Sequence, residues 1–426
     1  MEVFEFRPPP LDVETAVFPK PHWAEPFAKF LHLAARPVRV ISPCAGVNGP
    51  ERAAREMEMP WRSVGDFDFN APLRPALLRL AEDPDVVHVG PRSGDVLAVP
   101  LGDLDLSADG LVSGPLPSYP PLPYPLSPYP PIPLSLYPLS FYSVSGPPCP
   151  PFSSIGKRLI EMDARASVFV TVAMWILHLA HHGTLTWWVL ENVSGIRKRR
   201  RGETKSFAEW FLDEMGPELP TGWRIDVVEH NSCECLLPQS RPRVFFIGTS
   251  GALRQTPLQR RLLSTAPLSR PRVDIIHFLD PSPSTEDWYA LTLRQQVNLL
   301  EQLHSFQSSC APDATVAIVD VARDPLGQVD ATAVVGGTRT LRTNCAYLWV
   351  LPSAAWVPTF GSRGRFLSRA EKCRIAGLVP SSMAGLSDND VERAVGNTIP
   401  PPLIGVVMYP VLRAWAEHIR NSASGC

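Results

Sequence analysis

Residues Arg36–Met59 read RPVRVISPCAGVNGPERAAREMEM, and their order decides the fold class. The β-branched run Val38–Ile41 predicts a short strand, the glycines at 46 and 49 a turn, and the alanine- and arginine-rich remainder a helix. Strand, glycine turn and helix is the opening of an α/β sheet that holds its ligand at the carboxyl ends of the strands. Further along come strands in SVGDFD (Ser63–Asp68) and DVVHVG (Asp85–Gly90), then a helix at Asp163–His182. After these follow the strand TWWVLEN, the helix KSFAEWFLDEM, and the strands WRIDVVEHN and RVFFIG. This is a doubly wound pattern carried to Gly248.

Beyond Thr249 the pattern changes to turn signals, one helical stretch in WYALTLRQQVNLLEQLHSF and short strands in ATVAIVDV and AYLWVLP. The chain therefore divides into an N-terminal extension (1–37), a first α/β domain (38–248), a smaller lobe (249–358) and a helical section (359–420) that returns to the first domain. A 426-residue chain has ample length for such a division.

A net charge of −2 gives no global attraction to nucleic acid, so such a partner must be held by local patches. Two exist. One is RKRRR, Arg197–Arg201; the other, Gly251–Val273, carries Arg254, Arg260, Arg261, Arg270 and Arg272 and no acid. Either reads equally as a solvated loop. Eight irregularly spaced cysteines with no N-terminal signal peptide point to a reducing compartment without disulfides, and CEC (Cys233, Cys235) lacks a second ligand pair, so no metal site is expected. The most apolar run, SVFVTVAMWILHLA, is too short to cross a bilayer and reads as a buried helix, so no membrane is expected.

VSGP occurs at Val112–Pro115 and again at Val144–Pro147, and the tract Leu116–Pro147 holds eleven prolines and no charge. Such a segment is expected to form neither helix nor central strand and reads as a polyproline-like insertion, either an extruded loop or translated intron. One copy of VSG must occupy the strand; FYSVSGPP, adjoining Cys149, is the copy expected there.

Cys149 stands between prolines in SGPPCPPFS, where an α/β sheet presents reactive groups. A lone cysteine is by default inert. Its companions are ENV (Glu191–Val193), QSRPR (Gln239–Arg243), RFLSRAEKCRIAGLVP (Arg365–Pro380) and GNTIPPPLI (from Gly396). In that order these stretches resemble the cytosine-5 methyltransferase family, over Val38 to about Trp415.

The resemblance implies a Rossmann-like, S-adenosylmethionine-dependent methyltransferase fold, with 249–358 as target-recognition domain. It assigns Cys149 as the thiolate that adds to cytosine C6 and Glu191 as the carboxyl that holds the N3 edge, its proton affinity raised by burial. Arg243, with Arg241 beside it, would neutralise charge at the base carbonyl and hold the loop. Gly46, Gly49, Asp66, Asp95, Pro148 and Asn397 would bind the cofactor, with Asp66 on the ribose hydroxyls and Asp95 on the adenine amino group. Ser42, Cys44 and Asn48 depart from the family's first motif, which has an acid, an aromatic and a glycine there.

The implied function is methylation of cytosine in double-stranded DNA by a monomer that flips its base, in the nucleus of a eukaryote or otherwise in the cytoplasm. Two alternatives stand beside it. One is the tRNA branch, whose CFT signature this sequence lacks; the other is a catalytically inactive DNA-binding homologue, suggested by the insertion next to the catalytic loop.

Overall fold

The structure, a computed structural model, describes residues 38–43, 49–56, 61–68, 76, 87–89, 141–145, 166–183, 185–199, 202–253, 273–280, 291–307, 316–323, 334–342, 347–352 and 364–424. The tract 116–140, the first VSGP and the arginines between 254 and 272 lie outside the described residues. Contacts divide the chain into two units. The larger contains Lys20–Asn231, Pro242–Leu268 and Leu403–Cys426, and the smaller Ser232–Arg241 and Ser269–Pro402.

The larger unit is built on seven strands: β1 (Val38–Pro43), β2 (Trp61–Asp68), β3 (Val87–Val89), β4 (Phe141–Ser145), β5 (Leu185–Val193), β6 (Arg224–Asn231) and β8 (Pro242–Thr249). Their spatial order is β3-β2-β1-β4-β5-β8-β6. The first five run parallel, whereas β8 is inserted antiparallel between β5 and β6. The strict β-α alternation expected to Gly248 therefore stops at β6, because only a 3-10 turn and a two-residue strand lie between β6 and β8. Strand β4 carries Val144 and Ser145 of the second VSG copy, with Tyr142 and Ser143 paired to Val40 and Ile41 of β1 and Val144 to Val189 of β5. The end of the proline-rich tract thus does form a central strand, contrary to the expectation for Leu116–Pro147, because its last proline-free run, Leu139–Gly146, has every backbone N–H available for pairing.

Helix α1 (Gly49–Glu56) follows β1, and α2 (Ala166–His181) and α3 (Phe207–Glu218) flank β5 in sequence. Strand β5 is an unbroken buried run from Leu185 to Asn192, as a strand covered on both faces must be. One of its faces joins α2 and α3 in a core that includes Phe169, Trp175, Trp188, Phe211 and Phe246. There Phe169 meets Phe211 edge-on at 4.9 Å, the arrangement that ring quadrupoles favour. Helix α3 is fixed by a capping box, in which Ser206 and Glu209 satisfy each other's backbone N–H groups.

In the smaller unit β9 (Val316–Asp320) lies in a four-stranded sheet with β10 (Val334–Val335), β12 (Leu348–Pro352) and β13 (Arg365–Phe366), in the order β10-β9-β12-β13. Helix α4 (Leu293–Gln307) packs Leu299 and Leu303 against Val319, Trp349 and Leu351 of that sheet. It also uses amides where aliphatic side chains would be usual: Asn298 donates to Val321 O and Gln302 to Asp320 O, both at 2.9 Å. A second, two-stranded sheet pairs β7 (Gln239–Ser240) in parallel with β11 (Thr338–Arg339).

Helices α5 (Arg369–Ile375) and α6 (Asp388–Asn397) also group with the smaller unit, and the return to the larger one begins at Leu403, inside α7 (Pro401–Ser424). This differs from the boundary at 358 that the sequence suggests. The cause is a polar network. Arg374 donates to Phe278 O and pairs with Asp280, and buried Glu371 accepts from the Asp280 N–H while paired with Arg365 at 2.6 Å. The stretch Asp388–His418, which takes in α6 and most of α7, is long and apolar enough to span a bilayer, but 78% of its most apolar window is buried in protein, as in a core helix.

Candidate active site

Glu191 sits near the carboxyl end of β5, directly after the apolar run that buries it, and is 3% exposed. On the neighbouring antiparallel strand Arg243 is the second residue of β8, 5% exposed. The register places Val193 opposite Arg243 and Glu191 opposite Phe245, so Glu191 and Arg243 are diagonal neighbours on one face of the sheet. Arg243 Nε meets Glu191 Oε1 at 2.5 Å. The guanidinium supplies the counter-charge that a carboxylate buried this deeply needs. The structure thus brings together two of the four residues expected to be catalytic.

Arg241 goes elsewhere. It is 2% exposed, and its guanidinium donates to three backbone carbonyls within the smaller unit: Leu341 O at 3.1 Å, Gly396 O at 2.8 Å and Thr398 O at 2.7 Å. Around it Ser232 Oγ donates to Gln239 O at 2.6 Å and Thr340 Oγ1 to Ser240 O at 2.8 Å. Gly377 (φ +78°) stands against the Cδ atoms of Pro401 and Pro402, where the left-handed backbone and the close approach both favour glycine. The QSR, IAG and GNTIPPP stretches therefore form one assembly.

Leading into it, Leu236 has φ 65°, and it alone among the described non-glycine residues adopts the left-handed region. Such a backbone costs a bulky residue about 1–2 kcal/mol. Leu236→Gly is expected to be at least as stable as the wild type, by up to about 1 kcal/mol, and Leu236→Val to be less stable by about 1–2 kcal/mol. Urea unfolding midpoints check the order; a Gly variant weaker by more than the Val variant would show that the leucine side chain outweighs the strain.

Cys149, Pro148, Gly46 and Asp95 lie outside the described residues. Gly49 is the first residue of α1, Asp66 pairs with Ser42 near the carboxyl ends of β2 and β1, and Asn397 is the exposed last residue of α6. In the sheet, β1 lies between β2 and β4, so the winding reverses beside it, which is where doubly wound sheets bind nucleotides. A helix opening after β1 and an acid at the end of β2 fit the methionine and ribose parts of S-adenosylmethionine.

Two residues escaped sequence reasoning. His230, directly opposite Arg243 on β6 and 2% exposed, borders the charged pair, and only the β6/β8 register reveals it. Glu371 completes a capping box with Ser368, a signal present in SRAE, and its pair with Arg365 anchors α5. CEC forms a 3-10 turn in which burial pushes the Cys235 thiol well above its usual range, which leaves it inert. In the RKRRR run, Arg197 pairs with Glu229 and Arg199 with Glu209, so at least part of that charge is locally balanced.

A sequence profile of the family described as C-5 cytosine-specific DNA methylase matches residues 143–412, well over half of the chain. The chain belongs to this family. Over 122 residues it is also 34% identical to the Type II methyltransferase M.DdeI of Desulfomicrobium norvegicum, a match that spans 28% of this chain and 26% of that protein. Among solved structures it resembles the S. pombe Dnmt2 methyltransferase (TM-score 0.50, 14% identity) and a variant of Spodoptera frugiperda DNMT2 (TM-score 0.52, 12% identity). Each comparison covers 88% of this chain and 99% of the other. At these identities the likeness concerns the fold alone. A C5-methyltransferase of the S-adenosylmethionine-dependent fold accounts for both the motif order and the sheet.

Proposed function

We propose that this methyltransferase acts on cytosine in duplex DNA, with Cys149 as nucleophile and S-adenosylmethionine as methyl donor. The buried Glu191–Arg243 pair is the observation that carries the reading, because it keeps a carboxyl group and a guanidinium together at one strand end. Chain reach supports the role of Cys149. Ser145, four residues before it, is the strand partner of Leu190, the residue before Glu191.

Cytosine C5 is a poor nucleophile, and addition of the Cys149 thiolate at C6 makes it enamine-like. The C–S bond forms as negative charge moves onto the ring, and Glu191 shares a proton with N3 to hold that charge. Arg243 keeps the carboxyl oriented and offers its remaining N–H groups towards the base carbonyl. When bound, S-adenosylmethionine would supply an electrophilic methyl group to C5 and depart as its neutral thioether, S-adenosylhomocysteine. Loss of the C5 proton and cleavage of the C–S bond then return the thiolate and the aromatic ring. A base within a duplex must be flipped out for the thiolate to reach C6.

The test is transfer of labelled methyl from S-adenosylmethionine to duplex DNA and to tRNA in parallel, with mapping of the methylated base. We expect 5-methylcytosine in DNA, a covalent adduct on DNA containing 5-fluorocytosine, and neither with Cys149→Ser. Transfer to tRNA alone would move the reading to the RNA branch. DNA binding without transfer would make the protein an inactive homologue.

A further inference from the structure

Asn298 and Gln302 stand on α4 beside the core leucines Leu299 and Leu303, 4% and 0% exposed, where aliphatic side chains are usual. Both amides are spent on one turn. Asn298 donates to Val321 O at 2.9 Å, and Gln302 donates to Asp320 O at 2.9 Å and to Arg323 O at 3.3 Å. The backbone closes the same turn, with the Arg323 N–H on Asp320 O and the Val321 N–H on Tyr347 O, both at 3.1 Å. Ties from α4, from the turn itself and from the residue before β12 hold Asp320–Arg323 in one conformation.

What the turn holds in place is a carboxylate between two arginines. Asp320 Oδ1 accepts from the Ala322 N–H at 3.3 Å, while Oδ2 meets Arg342 at 2.8 Å and Arg323 at 3.1 Å. Both oxygens are engaged, and two guanidiniums share one carboxylate, which leaves one positive charge in excess. Arg342 carries that excess outward: its side chain is 30% exposed, against 13% for Arg323. Among the described residues Asp320 is its one hydrogen-bond partner, reached through a single nitrogen, so most of its N–H fork can meet another acceptor.

We infer that the Asp320–Arg323–Arg342 triad is a preformed contact for a backbone phosphate of duplex DNA, made through Arg342. This rests on the proposed DNA substrate. A phosphodiester carries one negative charge, which balances the triad, and its two outer oxygens match the planar fork of an arginine. A guanine edge offers neutral acceptors and would leave the charge unbalanced. A small free anion would be held by one part-exposed side chain, whereas a phosphate within a polynucleotide is brought there by the other contacts of a long ligand. Because the turn and Asp320 fix the guanidinium before the ligand arrives, little rotamer freedom is lost on contact.

Binding of the full chain to fluorescent DNA duplexes of several sequences, followed over a range of salt, tests it with the wild type, Arg342→Gln, Arg342→Lys and Arg224→Gln. Arg224 is the control: it pairs with Asp226 at 2.8 Å at the amino end of β6 and is 40% exposed. In Arg342→Gln affinity should fall about fivefold to tenfold for every sequence alike, and the slope of log affinity against log salt should lessen by about one ion. KM for DNA should rise while kcat changes by less than about twofold. Arg342→Lys keeps the charge and should keep the wild-type slope, and Arg224→Gln should stay within about twofold of wild-type affinity. Phenylglyoxal labelling of the wild type, mapped by mass spectrometry, reads the contact even if a variant does not fold: duplex DNA should protect Arg342 and leave Arg224 reactive. An unprotected Arg342, an unchanged slope in Arg342→Gln, a loss confined to one DNA sequence or an equal loss in Arg224→Gln would overturn the inference and leave the substrate reading intact. A wild type that binds tRNA but no duplex DNA defeats that reading, and this inference with it.

Discussion

Arg243→Met is expected to lower the stability of the protein by about 3–5 kcal/mol and to reduce methyl transfer by at least about a hundredfold. Both effects have one cause. Glu191 and Arg243 have side chains only 4% and 7% exposed, and the 2.5 Å contact between them is how the carboxylate keeps its charge away from water. Methionine fills similar volume without charge and strands the carboxylate. The deficit should shrink as pH falls, because protonating the stranded group removes the buried charge; the sign follows since the folded variant then binds a proton more readily than the unfolded chain does. Adding Glu191→Gln to Arg243→Met should recover part of the stability and none of the activity. Urea unfolding at neutral and mildly acidic pH, beside a methyl-transfer assay, reads all three statements. A pH-independent loss below about 1 kcal/mol would mean that water already reaches the pair.

Gly248→Ala is expected to cost about 3 kcal/mol or more, an unusually large effect for one methyl group. Gly248 lies in β8 opposite Trp188 of β5 and Ile225 of β6. A Cβ there would overlap the indole ring of Trp188. Trp188 is fully buried and has Phe211 edge-on at 6.5 Å, so it has little room to withdraw into a core already at close packing. The two strands must separate instead, and Glu191 lies on β5 three residues beyond Trp188. Trp188→Leu alone should leave a cavity, whereas combining it with Gly248→Ala should cost less than the sum of the two. A thermal-melt cycle over the four proteins measures this coupling, and strict additivity would place the clash elsewhere.

Much of the larger unit could be read directly from the sequence, for identifiable reasons. TWWVL carries no charge and reads as a strand, and an acid directly after such an apolar run weighs against a surface position. The β-branched run and glycine turn at Val38–Gly49 likewise announced the strand and helix found at β1 and α1. The antiparallel return of β8 left no such mark, because an apolar strand buried on both faces reads the same in either direction. Consequently the diagonal contact of Glu191 with Arg243, and the presence of His230 beside them, depended on a register that alternation cannot supply. The QSRPR resemblance groups Arg241 with Arg243, yet the partners of Arg241 are main-chain oxygens a hundred residues or more away, and main-chain oxygens have no sequence signature. The grouping of α5 and α6 with the smaller unit was hidden similarly: helical periodicity tells which face is buried, not against which neighbour.

The split within QSRPR limits how proteins of this design can diverge. Between Thr249 and the helices that follow 368, insertions and deletions need only preserve the small sheets, so this part of the gene can lengthen, shorten or be exchanged without disturbing the carboxylate. The five codons for Gln239–Arg243 have no such latitude. One extra residue between Arg241 and Arg243 would turn every side chain of β8 to the opposite face, and one fewer would pull Arg241 off its three carbonyls. Length variation should therefore be tolerated beyond Thr249 and purged within this pentapeptide, even where point substitutions at Ser240 are neutral.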